Sequence, residues 1–162
     1  MKKLSVNEKL NKFKISYQRY AEESQRLLAF GYTEQEASQL ILRKSSNKAV
    51  QSVLNNDELL LNAPYKLNHK QITFIASNDG GSRAIEAIKR SFFQLRGLGF
   101  TTAQIVSIAG HIGGSKNLDT VSTFSIELCD LGFTIDQITS IASHGEAEIA
   151  PMFQTTRSAS PY

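Results

Sequence analysis

The chain repeats itself. Residues 67–99 superimpose on residues 100–132 without a gap, a period of 33 residues, and ten positions are identical: Gln71/Gln104, Ile72/Ile105, Ile75/Ile108, Ala76/Ala109, Gly80/Gly113, Gly81/Gly114, Ser82/Ser115, Leu95/Leu128, Leu98/Leu131 and Gly99/Gly132. Unrelated segments of this length share roughly two. A fixed period of this size marks an array in which each unit buries its apolar face on its neighbour. The same frame continues through Phe133-Thr134 and Gln137-Ile138 as the first half of a further repeat, residues 133–150, and reaches back as a degenerate unit, residues 32–66, that is two residues longer. Residues 1–31, with apolar positions at Leu10, Phe13, Tyr17, Tyr20, Ala21, Leu27 and Leu28, read as one amphipathic helix capping a single-domain stack. Residues 151–162 read as a mobile tail.

Each unit has a legible interior. Thr101 with Gln104 is a capping box, in which a hydroxyl and an amide satisfy the free backbone donors of a helix start; Phe100 and Ile105 can staple across it. Asn68/Gln71, Thr134/Gln137 and Thr33/Glu36 repeat the device. Helix one is short, because it ends at His111-Ile112-Gly113-Gly114, and paired glycines disfavour helix and permit positive φ. Helix two runs from about Ser115 to Asp130, with Leu118, Val121, Phe124 or Ser125, and Leu128 inward, and Gly132 stops it. The fold class is therefore all-α, an α-solenoid of two-helix repeats with an N-terminal helical cap.

Composition bounds the function. An apolar fraction of 41% in 162 residues supports one core, and no apolar run is long enough to cross a membrane. The polar start, Met1 to Lys9, carries no export signal, and the single Cys129, in a stretch that reads as buried helix, forms no internal disulfide. The net charge of +3 is unevenly spread: residues 1–66 hold eleven Lys/Arg against seven Asp/Glu, residues 67–148 six against eight. A positive N-terminal end, with Lys2, Lys3, Lys9, Lys12, Lys14, Arg19 and Arg26, suits a polyanion as well as a solvated helix face.

The inter-helix loops of such an array fall at equivalent places. Their variable pairs are Asn78-Asp79, His111-Ile112 and His144-Gly145, set in a frame that repeats. Gly80-Gly81-Ser82-Arg83 and Gly113-Gly114-Ser115-Lys116 follow, and bare glycine amides at a helix start with Arg83 or Lys116 close behind suit a phosphate. Glu146 and Glu148 break that pattern in the last loop.

The segments Gln71 to Gly81 and Gln104 to Gly114, with Ile-Ala-Ser/Gly before a variable pair and Gly-Gly after it, resemble repeats of the transcription activator-like effector family and its bacterial TALE-like relatives. The resemblance covers residues 67–148 well and 32–66 faintly. It implies a right-handed superhelix wound in the major groove of double-stranded DNA, one base read by the second residue of each pair: Asp79, Ile112 and Gly145. The first residues, Asn78, His111 and His144, would brace the loop on the carbonyls of Phe74, Ser107 and Ser140. An aspartate can accept a hydrogen bond from the cytosine amino group, and the family's preferences for Ile and Gly extend the core to 5′-CAT-3′. Arg43, Lys44 and Lys48, in the loop of the degenerate unit, would supply sequence-independent phosphate contacts. The resemblance also implies a bacterial protein acting in the cytoplasm at the nucleoid, or in a host nucleus after delivery.

Other readings of the same residues are a helical-repeat module that binds protein, for which the acidic balance of residues 67–148 speaks, and non-specific binding of nucleic acid, including RNA or a single strand, on platforms such as Tyr17, Tyr20 and Phe30. So few repeats make weak affinity and self-association reasonable expectations. Neither a Cys/His metal spacing nor a GxSxG or P-loop sequence occurs, and His69, His111 and His144 fall on caps and loops, so no catalysis, cofactor, metal or small-molecule substrate is expected.

Overall fold

The computed structural model describes residues 2–44, 46–78 and 81–144, and every regular element among them is an α-helix. In chain order these are α1 (Val6–Lys12), α2 (Tyr17–Ala29), α3 (Glu34–Ile41), α4 (Ser46–Leu61), α5 (His69–Ala76), α6 (Gly81–Gly97), α7 (Thr102–Gly110), α8 (Gly114–Asp130) and α9 (Ile135–Ala142). A short and a long helix alternate from α3 onward, the pattern of a helical repeat protein. The four capping boxes all form and start the four short helices. In α7, for example, Thr101 Oγ1 accepts from the Gln104 amide at 3.1 Å and Gln104 Oε1 accepts from the Thr101 amide at 2.9 Å.

The N-terminal segment departs from the single helix that its apolar spacing suggests. Ser5 and Glu8 build a fifth capping box, α1 closes at Phe13, and Lys14 takes a positive φ of 54° that turns the chain, with the Ile15 amide donating to the Leu10 carbonyl at 2.9 Å. Ser16 then caps α2. A fixed helical period cannot show this break, because Leu10, Ile15 and Leu27 reach the core from two different axes. Cys129 is exposed, since the buried stripe of α8 passes through Leu118, Val121, Ser125 and Leu128, and one residue further turns about 100° away from it.

The chain forms two compact units, divided between residues 82 and 83. In the first, α2 packs on α3, and α3, α4 and α5 all touch one another. In the second, α7, α8 and α9 make the same triangle. A short helix thus rests both on its own long partner and on the next short helix, and the degenerate unit packs as the clear repeats do. Ile72, Ile105 and Ile138 are buried at equivalent places, as are Leu60, Leu95 and Leu128.

The residue that precedes each unit is left-handed: Gly31, Gly99 and Gly132 have φ of 96°, 104° and 93°, and Lys66 stands at the fourth place with φ 52°. At the first position of the units, Tyr32 replaces the phenylalanines Phe100 and Phe133, and its hydroxyl is used. It donates to Asp57 Oδ1 at 2.6 Å inside the first unit, where Tyr32 and Asp57 are 2% and 4% exposed. His69 closes the group, its ring edge-on to Tyr32 at 4.4 Å between centroids and its Nε2 3.9 Å from Asp57 Oδ1. Burial, then the bond to Asp57, holds the Tyr32 hydroxyl protonated far above the usual phenol range.

Two substitutions test this account. Tyr32→Phe leaves a buried carboxylate without its donor and should cost about 1–3 kcal/mol in urea unfolding. It should also remove part of the stability loss above pH ~10, where a tyrosine with a raised folded-state value favours the ionising unfolded chain. Lys66→Gly, which relieves a left-handed non-glycine residue, should raise stability by roughly 1 kcal/mol.

Candidate functional site

The loop between α7 and α8 shows how a variable pair is held. α7 ends at Gly110, and His111 leaves the helix with extended backbone angles, φ −89° and ψ 165°. Its ring folds back so that Nδ1 donates to the carbonyl of Ser107, one of the last-turn acceptors that a helix leaves open. Because a carbonyl can only accept, the ring carries its proton on Nδ1. His144 makes the same bond to Ser140 at the end of α9. Asn78 also braces its helix end, but Nδ2 donates to the carbonyl of Ile75 at 3.0 Å, one residue beyond the Phe74 acceptor that the resemblance implies.

The second residue of the pair is turned outward. Ile112 is 84% exposed, where an isoleucine ordinarily loses most of its surface to the core. Asp79 and Gly145, which the sequence places at the same loop position, lie outside the described residues, as do Gly80 and the carboxylates Glu146 and Glu148.

The glycines after the pair serve the turn itself. Gly113 is left-handed, with φ 76°, and forms the start of α8 with no side chain to cap it. Gly114 is buried, its amide donates to the His111 carbonyl at 2.9 Å, and a Cβ there would stand 2.1 Å from the Ala109 carbonyl oxygen. Gly81 is equally close to Ala76: its amide donates to the Asn78 carbonyl at 3.0 Å, and its Cβ would stand 2.2 Å from the Ala76 oxygen. The second glycine amide is thus engaged within the turn, so the reading of two bare amides offered to a phosphate is corrected for Gly81 and Gly114. The close approach of backbones is what demands glycine there. In the degenerate unit the aligned residues are Ile41 and Ser46, and the buried Ser46 hydroxyl accepts from Arg19 Nη2 at 3.0 Å instead.

The cations assigned to phosphates are placed unevenly. Arg83 and Lys116 are exposed in the first turns of α6 and α8, and Lys44 and Lys48 are exposed where α3 gives way to α4, whereas Arg43 is half-buried at the end of α3. Arg19 is not part of a free basic face, since it also bonds Glu23 Oε1 at 3.1 Å. Sequence reasoning missed the polar ties that hold the loop of the second unit in register. Asn117 Nδ2, buried, donates to the Ala142 carbonyl at 2.9 Å, Ser107 and Ser143 share a hydrogen bond of 3.1 Å, and Gln104 Nε2 donates to Asp136 Oδ1 at 2.6 Å. These pairs are 25 to 36 residues apart, so only the repeat frame could have pointed to them.

Residues 79–111 and 112–144 each match the family model of the TAL effector repeat, in tandem and with the same 33-residue period. The matched frame opens on Asp79 and Ile112 and closes on His111 and His144. A comparison with curated proteins finds no match. Within the described residues no helix is long and apolar enough to cross a membrane.

The glycine argument predicts opposite effects of one change at two places. Gly114→Ala should destabilise by about 2 kcal/mol or more in chemical unfolding, since a Cβ cannot share space with a backbone oxygen. Gly97→Ala, in open space at the end of α6, should stabilise by roughly 0.5 kcal/mol.

Proposed function

We propose that this chain, which carries two consecutive TAL effector repeats, binds double-stranded DNA through the loops of those repeats, one base at each. TAL effector repeats are a DNA-binding module in general. What carries the reading to single residues is the α7–α8 loop: a braced first residue, an 84% exposed second residue, and a backbone turn with no room for a side chain at Gly114. Such a loop can be pushed against a base edge without paying for its own ordering.

In this reading Asp79, Ile112 and Gly145 contact the bases, and Asn78, His111 and His144 hold the loops. Asp79 accepts from the N4 amino group of cytosine and repels the acceptor edge of guanine. Ile112 offers van der Waals contact alone and takes adenine; Gly145 leaves room for a thymine methyl. The core is 5′-CAT-3′, read in the major groove. Gly80 is the residue before α6 in the sequence, Gly113 with Lys116 sits at the start of α8, and α8 begins with no side-chain cap, so the amides that follow Gly114 and the positive end of the helix dipole favour a phosphate there, as Arg83 does in the first turn of α6. Arg43, Lys44 and Lys48 add contacts blind to sequence. A bacterial regulator acting at the nucleoid or in a host nucleus fits the same reading. Binding to protein along the acidic second half is the competing function, and it predicts no salt-dependent shift of duplex DNA.

Selection from a randomised duplex pool at two salt concentrations should enrich a short core containing C-A-T. Asp79→Ala should relax preference at the first position alone, by about 1–3 kcal/mol of discrimination. Equal recovery of all three-base cores would defeat the base-reading assignment.

A further inference from the structure

Two apolar side chains of the second unit stand in water one period apart. Phe93 of α6 is 60% exposed and Ile126 of α8 is 59% exposed, and the 33-residue repeat carries one onto the other. The buried side of α6 passes through Ile88, Phe92 and Leu95 and that of α8 through Leu118, Val121 and Leu128. At about 100° per residue, Phe93 and Ile126 fall well outside those sides. The two helices lie side by side: Arg90 Nη2 donates to Asp119 at 3.1 Å, and the Ser122 hydroxyl donates to Gln94 Oε1 at 2.7 Å. Gly97, one turn after Phe93, has open space where a Cβ would be. A single exposed apolar residue is ordinary, but recurrence at one repeat position on neighbouring helices joins two of them in a patch.

The charges around the patch are divided between the helices. Within one turn of Phe93 the sequence has Lys89, Arg90 and Arg96 and no carboxylate; within one turn of Ile126 it has Glu127 and Asp130 and no cation. Lys89 and Arg90 already meet Glu86 and Asp119, at 3.3 and 3.1 Å, but surface pairs of this kind are worth little and do not hold the cations from a partner. A nucleic acid laid on this face would be repelled by Glu127 and Asp130. A protein of one charge sign would suit one helix and be repelled by the other. The face fits a partner with the same two features in exchanged order, and a second copy of the chain supplies it, because in an isologous contact residue i meets residue j and j meets i.

We propose that this face is where two copies of the chain associate, as a symmetric dimer centred on Phe93 and Ile126. A two-fold axis lying in the face, midway between the two side chains, sets Phe93 on Ile126 of the partner subunit and Ile126 on Phe93 of the partner subunit. Each group of cations then stands beside a group of carboxylates. Two helices of 17 residues about 10 Å apart offer roughly 500 Å² per copy, against the ~800 Å² of a standard interface, so the dimer is weak and depends on concentration. Ile126 is about 18 Å along α8 from Gly114, which keeps the centre of the contact away from the loop that exposes Ile112.

The test is sedimentation equilibrium of the full chain, with reductant so that the exposed Cys129 takes no part. It contains no DNA, so its outcome is separate from that of the DNA-binding proposal. The weight-average mass should rise from the 17.9 kDa monomer towards twice that value between about 1 µM and about 1 mM. Phe93→Ser combined with Ile126→Ser should weaken association by about tenfold or more. The same variant should keep its helical circular dichroism and thermal midpoint near wild type, since both side chains are already in water. Lys89→Glu and Asp130→Lys should each weaken self-association, and an equal mixture of the two should associate more tightly than either alone, because the mixed pair restores opposite charges at both contacts. A wild-type chain that stays monomeric to about 1 mM overturns the dimer, whatever other protein the face can bind. Association that survives loss of both apolar side chains lies elsewhere on the molecule and overturns it equally. A mixture no tighter than its components overturns the symmetric pairing.

Discussion

The structure depends on the contact of two backbones. Where helix one turns into helix two, the chain of Gly114 comes so near the Ala109 carbonyl that not even a methyl group fits between them, and Gly81 stands in the same relation to Ala76. The recurrent features of the loop follow from that approach. The alanine must be small, the residue facing it must be glycine, the residue before must accept a left-handed conformation, and the loop between them can be only a few residues long. In the α7–α8 loop, so constrained, the outward side chain Ile112 is left exposed at a fixed place.

The loop is also closed from the side. An imidazole at His111 or His144, or an amide at Asn78, donates to a carbonyl that the helix end leaves open, so that the polar backbone of the turn is satisfied before any partner arrives. The exposed Ile112 is the counterpart of this economy: with the backbone and the first side chain committed, the second side chain has nothing in its own unit to bury against. The degenerate unit breaks the arrangement at its root. Ile41 stands in place of the alanine and Ser46 in place of the glycine, the Ser46 hydroxyl is held by Arg19, and the variable pair is replaced by Arg43-Lys44, two cations.

Charge follows the same division. In the first unit, cations from α1, the end of α3 and α5 share a groove, and the buried Tyr32 and Asp57 with the half-buried His69 tie the first position of the degenerate unit to α4 and α5. In the second unit the ionic and polar contacts run between neighbouring helices instead, as in Arg90 with Asp119 and Gln94 with Ser122, and serve to keep the repeats in step.

The sequence alone determined the repeat length, the alternation of short and long helices, and the starts of α3, α5, α7 and α9, because capping boxes, glycine stops and a 33-residue period are all local or periodic signals. It also marked the residues that vary within a constant frame. Only the tertiary structure decided what depends on distance between parts far apart in the chain: that residues 1–31 form two helices and not one, that Cys129 faces solvent, that Gly114 is there for closeness to Ala109 and not for an open amide, and that Lys3, Lys9, Arg43 and Lys70 meet. A periodic pattern says which side of a helix turns inward. Which atoms then crowd, pair or remain exposed is settled by the approach of the elements to one another, and that is not written in any one of them.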